Sequence, residues 1–142
     1  MIVPDVNVLL HAMNADSEHH EASWSWWASA QQGPERIGLA WHVCIAYVRL
    51  MTNPRIMPDP APVADAIDDL RRWMASPLVD ALVPGPEHLF IVERLMASAG
   101  GGGDLIPDSH LAALAFENGG TVYSQDADFA RFDGVRWVNP LR

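Results

Sequence analysis

Short apolar runs that close on polar or acidic residues alternate with segments of helical periodicity along the whole chain, and this alternation limits the possible folds more than any other feature. Ile2 and Val3 form the first run, ended by Pro4 and Asp5. Val6, Leu9, Leu10 and Met13 then recur at helical spacing, which places a strand-to-helix junction at the start. A second helix runs from a cap at Asp16 or Ser17 to about Ala30, with His20, Trp24 and Trp27 on one stripe and Trp26 facing away from it, either as a candidate partner surface or as core packing. Arg36 to Leu39 reads as the next strand. Ala40 to Thr52 is apolar almost throughout and predicts a largely buried helix, which Asn53-Pro54 ends because proline has no amide to continue it.

Beyond a proline-rich loop, Ala61 to Met74 is amphipathic, with Val63, Ala66, Ile67, Leu70 and Met74 at three- and four-residue steps. Val79 to Val83 predicts a strand and Glu87 to Ala99 a helix, followed by a flexible break at Gly100 to Gly103. Pro107 suits a first helical turn, and the helix through Asn118 is terminated by Gly119-Gly120. Thr121 to Ser124 and Val135 to Val138 complete the strands. Strands alternating with helices predict an α/β fold with a mostly parallel sheet covered on both faces.

The chain has 142 residues, 49% of them hydrophobic, which suits one core and a single domain over residues 1–142. Eighteen acidic against nine basic residues leave a net charge of −9. Phosphate neutralisation alone is then a poor route to nucleic-acid binding, and a metal ion or a basic partner has to help. The single cysteine, Cys44, forms no internal disulfide and has no metal-ligand spacing around it, so a reducing cytoplasm fits. No segment has the ~20 apolar residues that span a bilayer.

In open parallel sheets, ligands sit beyond the carboxyl ends of the strands. Asp5 follows the first strand, Asp126 follows the strand TVYS, and Asp108 begins the helix leading into that strand. These three are the candidate catalytic and metal-holding residues, with Asp104 as an auxiliary. Clustered carboxylates repel one another unless protons or a hard cation neutralise them, and Mg²⁺ or Mn²⁺ is the natural occupant. Such an ion can activate water and stabilise charge at a phosphorus undergoing in-line hydrolysis. Against this stand ordinary roles: Asp5 and Asp126 as caps or turn residues, and Asp108 as a first-turn dipole partner of its helix.

The opening PDVNVLLHA, the block DLIPDSHLAALAFENGGTVYSQDADFARF, the middle LAWHVCIAYVRLMTNPRIM and the ending VRWVNPL resemble the PIN-domain family, and within it the VapC-type toxins. The resemblance implies a three-layer α/β/α sandwich and Mg²⁺- or Mn²⁺-dependent endonucleolytic cleavage of RNA, with structured RNA such as tRNA as the expected substrate. It also implies a homodimer whose cleft is inhibited by a small antitoxin inserting an arginine-bearing or hydrophobic segment. The family's first acid falls on Asp5, with Asn7 beside it; its helix-borne acid falls on Asp108 and its last on Asp126. Asp128 takes the second, less consistently catalytic acid position, and Ser124 the small hydroxyl residue before it.

One position departs from the pattern. Many family members carry a glutamate in the helix before the TNPR-like segment, and Ala46 stands there. Asp104, Asp128 or water would have to substitute for it, or the site holds one metal. His42, four residues earlier on the same helical face, either fills part of that space or serves as a core histidine.

The six histidines show no protease-like spacing, and the glycine run lacks the Lys-Ser/Thr of a phosphate loop. Arg49 and Arg55 are the candidate RNA phosphate contacts. Two other readings stand beside the nuclease: a catalytically weak module that binds RNA or antitoxin, and a phosphatase using Asp5 as nucleophile. The phosphatase lacks a second aspartate at Asn7 and any lysine to assist.

Overall fold

A computed structural model describes residues 1–142. Its strands are β1 (Ile2–Pro4), β2 (Ile37–Ala40), β3 (Val79–Leu82), β4 (Thr121–Tyr123) and β5 (Arg136–Val138). The helices are α1 (Val6–Met13), α2 (His20–Gln32), α3 (Trp41–Met51), α4 (Val63–Met74), α5 (His88–Ala99) and α6 (Ile106–Glu117). The strands form one sheet in the order β3-β2-β1-β4-β5, and every pairing is parallel. The expected α/β fold is therefore present, with the sheet parallel throughout.

The strand order carries the functional consequence. From β1 the chain builds outward to β2 and β3, then returns to the other side of β1 for β4 and β5. Strand direction of growth thus reverses between β1 and β4, the place where open sheets leave a crevice at their carboxyl ends. Ile2, Val3 and Pro4 register against Thr121, Val122 and Tyr123, which brings the residues after both strands side by side.

β1 is apolar on both faces because both are covered: Val3 is fully buried, as are Leu9, Ile37, Leu39 and Val122 around it. A core of 27 buried residues continues from these strands into α3 and α6. The aromatic part of that core is a chain of rings. Trp27 meets Trp73 edge-on with centroids 5.2 Å apart, and Trp73 meets Tyr47 at 5.1 Å. Such pairs contribute about 0.5–1.5 kcal/mol each beyond area burial.

The join between α6 and β4 depends on two glycines. Gly119 adopts φ +62°, and a Cβ on Gly120 would lie 2.8 Å from Val3 Cγ2. Only glycine lets the chain leave α6 and enter the sheet tightly against β1.

Four local expectations change. The second helix begins at His20, not at a cap on Asp16 or Ser17. Ser17 Oγ instead accepts from His19 N at 3.1 Å and meets His11 Nδ1 at 2.7 Å, so its hydroxyl is committed to the preceding turn. Of the two readings of Trp26 the partner surface gives way to packing: it stacks on Tyr123 with centroids 5.4 Å apart. Trp24, read with the inner stripe, is 50% exposed. The glycine break is partly ordered, since Gly103–Leu105 forms a 3₁₀ turn leading into α6.

Candidate active site

Asp5 is placed by two local demands. It ends β1, with its amide donating to Tyr123 O at 3.0 Å, and it caps α1, with its carboxylate accepting from Val6 N at 2.7 Å. The capping role read from sequence is real, yet it uses only Oδ1. Oδ2 accepts from Ser124 Oγ at 2.7 Å and from Asn7 Nδ2 at 3.1 Å. Burial pushes the Asp5 carboxyl above its ordinary range, partly offset by the bonds from Ser124 and Val6, with the charge of Asp126 adding to the rise.

Ser124 is fully buried and acts as the hub of this corner. Besides donating to Asp5, its Oγ accepts from Asn7 Nδ2 at 2.9 Å and from Asp126 N at 3.0 Å. Asn7 Oδ1 accepts in turn from Gln125 N at 3.2 Å. Asn7 and Ser124, the auxiliaries named from sequence, thus tie the end of β1 to the loop after β4.

That loop turns at once into a 3₁₀ segment, Ala127–Arg131, capped by Asp126, whose carboxylate accepts from Asp128 N at 2.9 Å. The tight turn brings Asp126 and Asp128 together, and Asp108 reaches them from the first turn of α6. One carboxylate oxygen from each of Asp108, Asp126 and Asp128 lies within 4.8 Å of the others. Asp128, expected to be auxiliary, is therefore inside the closest group, while Asp5 stands beside it. Burial, followed by the charges of Asp5, Asp126 and Asp128, pushes Asp108 up to about 6. The donor set is all oxygen and mutually repulsive, which suits a hard divalent cation.

A cleft of about 160 Å³ opens next to the acids, lined by Asp5 and Asp108 on one side and by His42 and Ala46 of α3 on the other. Ala46 faces the carboxylates and has nothing to offer them. His42 lines the same cleft one helical turn earlier. Its ring lies 4.6 Å from that of His110, and burial with the neighbouring His110 pushes it down to about 4.

His110 belongs to an array that is not legible in the sequence. Its Nδ1 is 2.7 Å from His88 Nε2, and His88 Nδ1 is 2.8 Å from Glu117 Oε1. The partners come from α5 and α6, and α3 supplies His42. No spacing within one segment signals such a cluster.

The other candidates lie further out. Asp104 is exposed and lines a groove with Gly101, Gly102, Gly103, Asp128 and Arg131 on the far side of Asp128. Arg49 lines a separate apolar groove between α3 and α4. Arg55 is exposed in the turn after α3, its amide donating to Asn53 Oδ1 at 2.9 Å.

Comparison with known proteins gives the family and the fold. The family described as PIN domain matches residues 2–135. A Mycobacterium tuberculosis protein named ribonuclease VapC37 is 42% identical over 140 residues, spanning 99% of this chain and 97% of its own length. Another from that organism, ribonuclease VapC33, is 39% identical over 142 residues, spanning 100% of this chain and 99% of its own. Among solved structures, VapBC2 from Rickettsia felis bound to a DNA fragment from their promoter superimposes with a TM-score of 0.70 at 13% identity, covering 98% of each chain. Mycobacterium tuberculosis VapC20, a sarcin-ricin loop cleaving toxin, does so with a TM-score of 0.68 at 23% identity, covering 96% of this chain and 99% of its own. At these identities the structures speak to the fold.

Proposed function

The chain belongs to the PIN-domain family and is of the VapC type, and from that premise we propose that it is a toxin-like endoribonuclease that hydrolyses RNA phosphodiester bonds with Mg²⁺ or Mn²⁺. The observation that carries the reading is the approach of Asp108, Asp126 and Asp128 within 4.8 Å, with Asp5 beside them at the crossing point of the sheet. The relatives named ribonucleases extend over essentially the whole chain.

In this reading Asp5, Asp108 and Asp126 hold the cation, with Asp128 completing their group. The cation supplies Lewis acidity and a more acidic bound water. The chain's own task is to keep ionised oxygens converging against their repulsion. Ser124 and Asn7 do this for Asp5, by fixing Oδ2 while α1 fixes Oδ1. Asp126 is oriented by Asp128 N, and Ser124 accepts from the Asp126 amide. The acidic cleft repels RNA phosphates until the cation is bound, which makes substrate binding itself metal-dependent.

The substrate is a structured RNA such as tRNA, and an antitoxin is the regulator. An apolar groove of about 550 Å³ between α3 and α4, lined by Trp41, Ile45, Ile67, Leu70 and Met74, supports a hydrophobic antitoxin segment there. Exposed Val83, Leu89 and Phe90 support a homodimer formed elsewhere on the surface. No helix is long and apolar enough to cross a membrane, and the buried free thiol of Cys44 suits the cytoplasm.

Ala46 favours a second reading, in which the domain binds RNA or antitoxin while cleaving weakly. Incubating purified chain with a structured RNA pool, then adding EDTA and later Mn²⁺, separates the two. Cleavage that stops and returns supports the enzyme; cleavage indifferent to EDTA overturns metal dependence.

A further inference from the structure

Neither Arg49 nor Arg55, the arginines expected to meet RNA, lines a cleft that a site carboxylate shares. Arg131 does. It lines a groove of about 410 Å³ together with Asp128, a size in the range of ligand sites. The 3₁₀ segment after β4 supplies Asp128 and Arg131 to this groove, and the loop after α5 supplies Asp104 and Gly101 to Gly103. Arg131 is the one cationic side chain in the lining.

The guanidinium is built into the groove. Its Nη2 donates to Ala99 O at 3.0 Å and its Nη1 to Asp128 Oδ1 at 3.5 Å. Ala99 O belongs to the last turn of α5, where the helix dipole favours a cation. A Cβ on Gly101 would collide with Leu105 Cδ1 and crowd Arg131 Nη2 at 3.2 Å, so a bare backbone at 101 is what lets the guanidinium settle there. A Cβ on Gly102 or Gly103 would meet nothing within 4 Å; both open onto free space. The Arg131 side chain remains 42% exposed, and its two bonds leave most of its N–H donors available to an oxygen anion.

We propose that Arg131 binds an RNA phosphate flanking the scissile one, in a groove whose glycine wall lets the strand pass close to the backbone. The inference rests on the nuclease reading and deepens it. A chain of net charge −9 gains in Arg131 a fixed positive charge beside its acids. A phosphate contact positions the strand without reading its bases, so Arg131 acts on binding and leaves hydrolysis to the carboxylates.

The test is single-turnover cleavage of an end-labelled tRNA pool at fixed Mg²⁺, with protein and KCl concentrations varied. Arg131→Gln is expected to raise the half-saturating protein concentration about tenfold, with the maximal rate within about twofold of wild type. The dependence of half-saturation on log salt should become shallower by about 0.7–0.9, the signature of one lost phosphate contact. Arg131→Lys should restore most of both. Losing the guanidinium also loosens Ala99 O and Asp128, so Gly102→Glu and Gly102→Gln form a second pair that leaves Arg131 in place. Gly102 has φ −120°, and both variants should melt with wild type. Only the glutamate, which puts a negative charge in the groove, should raise half-saturation several-fold. Unchanged half-saturation in Arg131→Gln, a loss confined to its maximal rate, or Gly102 variants that behave alike overturns the inference and leaves the nuclease intact. A wild type that cuts nothing in the pool overturns both.

Discussion

Ser124 Oγ donates to Asp5 Oδ2 at 2.7 Å across 119 positions of sequence, and the same oxygen accepts from Asn7 Nδ2 and Asp126 N. One buried hydroxyl therefore holds the end of β1, the start of α1 and the loop after β4 in a single arrangement. Ser124→Ala leaves the Asn7 amide and the Asp126 amide short of a partner in a buried corner. The expected cost is about 1–3 kcal/mol of stability, with RNA cleavage falling about 10- to 100-fold. Thermal melts and initial cleavage rates check both; an active, fully stable Ser124→Ala would show that Asp5 is positioned without it.

Asp108 gives the site a pH signature. Burial first, then Asp5, Asp126 and Asp128, raise it from 3.8 to about 6. A carboxyl with a folded value above its unfolded one stabilises the fold less as pH rises, so the metal-free protein loses stability between about pH 4 and about pH 6. The size is about 1–2 kcal/mol after allowing for solvent screening. Metal-free Asp108→Asn is expected to melt above wild type at pH 7.5 and to converge with it near pH 4. Saturating Mn²⁺ should reverse the order at pH 7.5, because the cation stabilises the form that binds it. Wild-type cation affinity should fall below about pH 6.

Ala46 faces Asp5 and Asp108 across the cleft. Ala46→Glu adds a carboxylate to a site that already repels itself, so the metal-free variant is expected to melt lower than wild type. Mg²⁺ should restore the loss and raise cleavage in Mg²⁺ several-fold, on the order of 1 kcal/mol of added cation stabilisation. Scanning calorimetry with and without Mg²⁺ reads this; a variant that Mg²⁺ fails to stabilise would place position 46 outside the cation's reach.

Ile45 is 63% exposed on the groove between α3 and α4. Ile45→Arg should leave cleavage unchanged and abolish co-purification with the antitoxin, since a charge on an apolar seat is costly to desolvate. Intact antitoxin binding in this variant would move the regulator to another face.

Much of this was readable in the sequence, and the reason lies in chain locality. Strand–helix alternation predicts a parallel sheet, and acids directly after strands fall at its carboxyl edge, so Asp5 and Asp126 are legible as candidates, while Asp108 is legible only through its place at the start of the helix leading into β4. Asp128 was harder to weigh, because its closeness to Asp108 depends on the 3₁₀ turn after Asp126. The His42–His110–His88–Glu117 assembly joins three helices, and no periodicity within one of them encodes it. The choice between a partner surface and core packing for Trp26 is not legible in the sequence, because helical spacing gives a direction but not the neighbour in that direction, which is Tyr123 of β4.

End-labelled tRNA incubated with the purified chain in Mn²⁺, Mg²⁺ or EDTA, with Asp5→Asn and Asp126→Asn run in parallel, tests the central claim most directly. Discrete cuts in Mn²⁺ or Mg²⁺, absent in EDTA and lost in both variants, are the expected result. Cuts that survive EDTA, or a fully active Asp5→Asn, would contradict it.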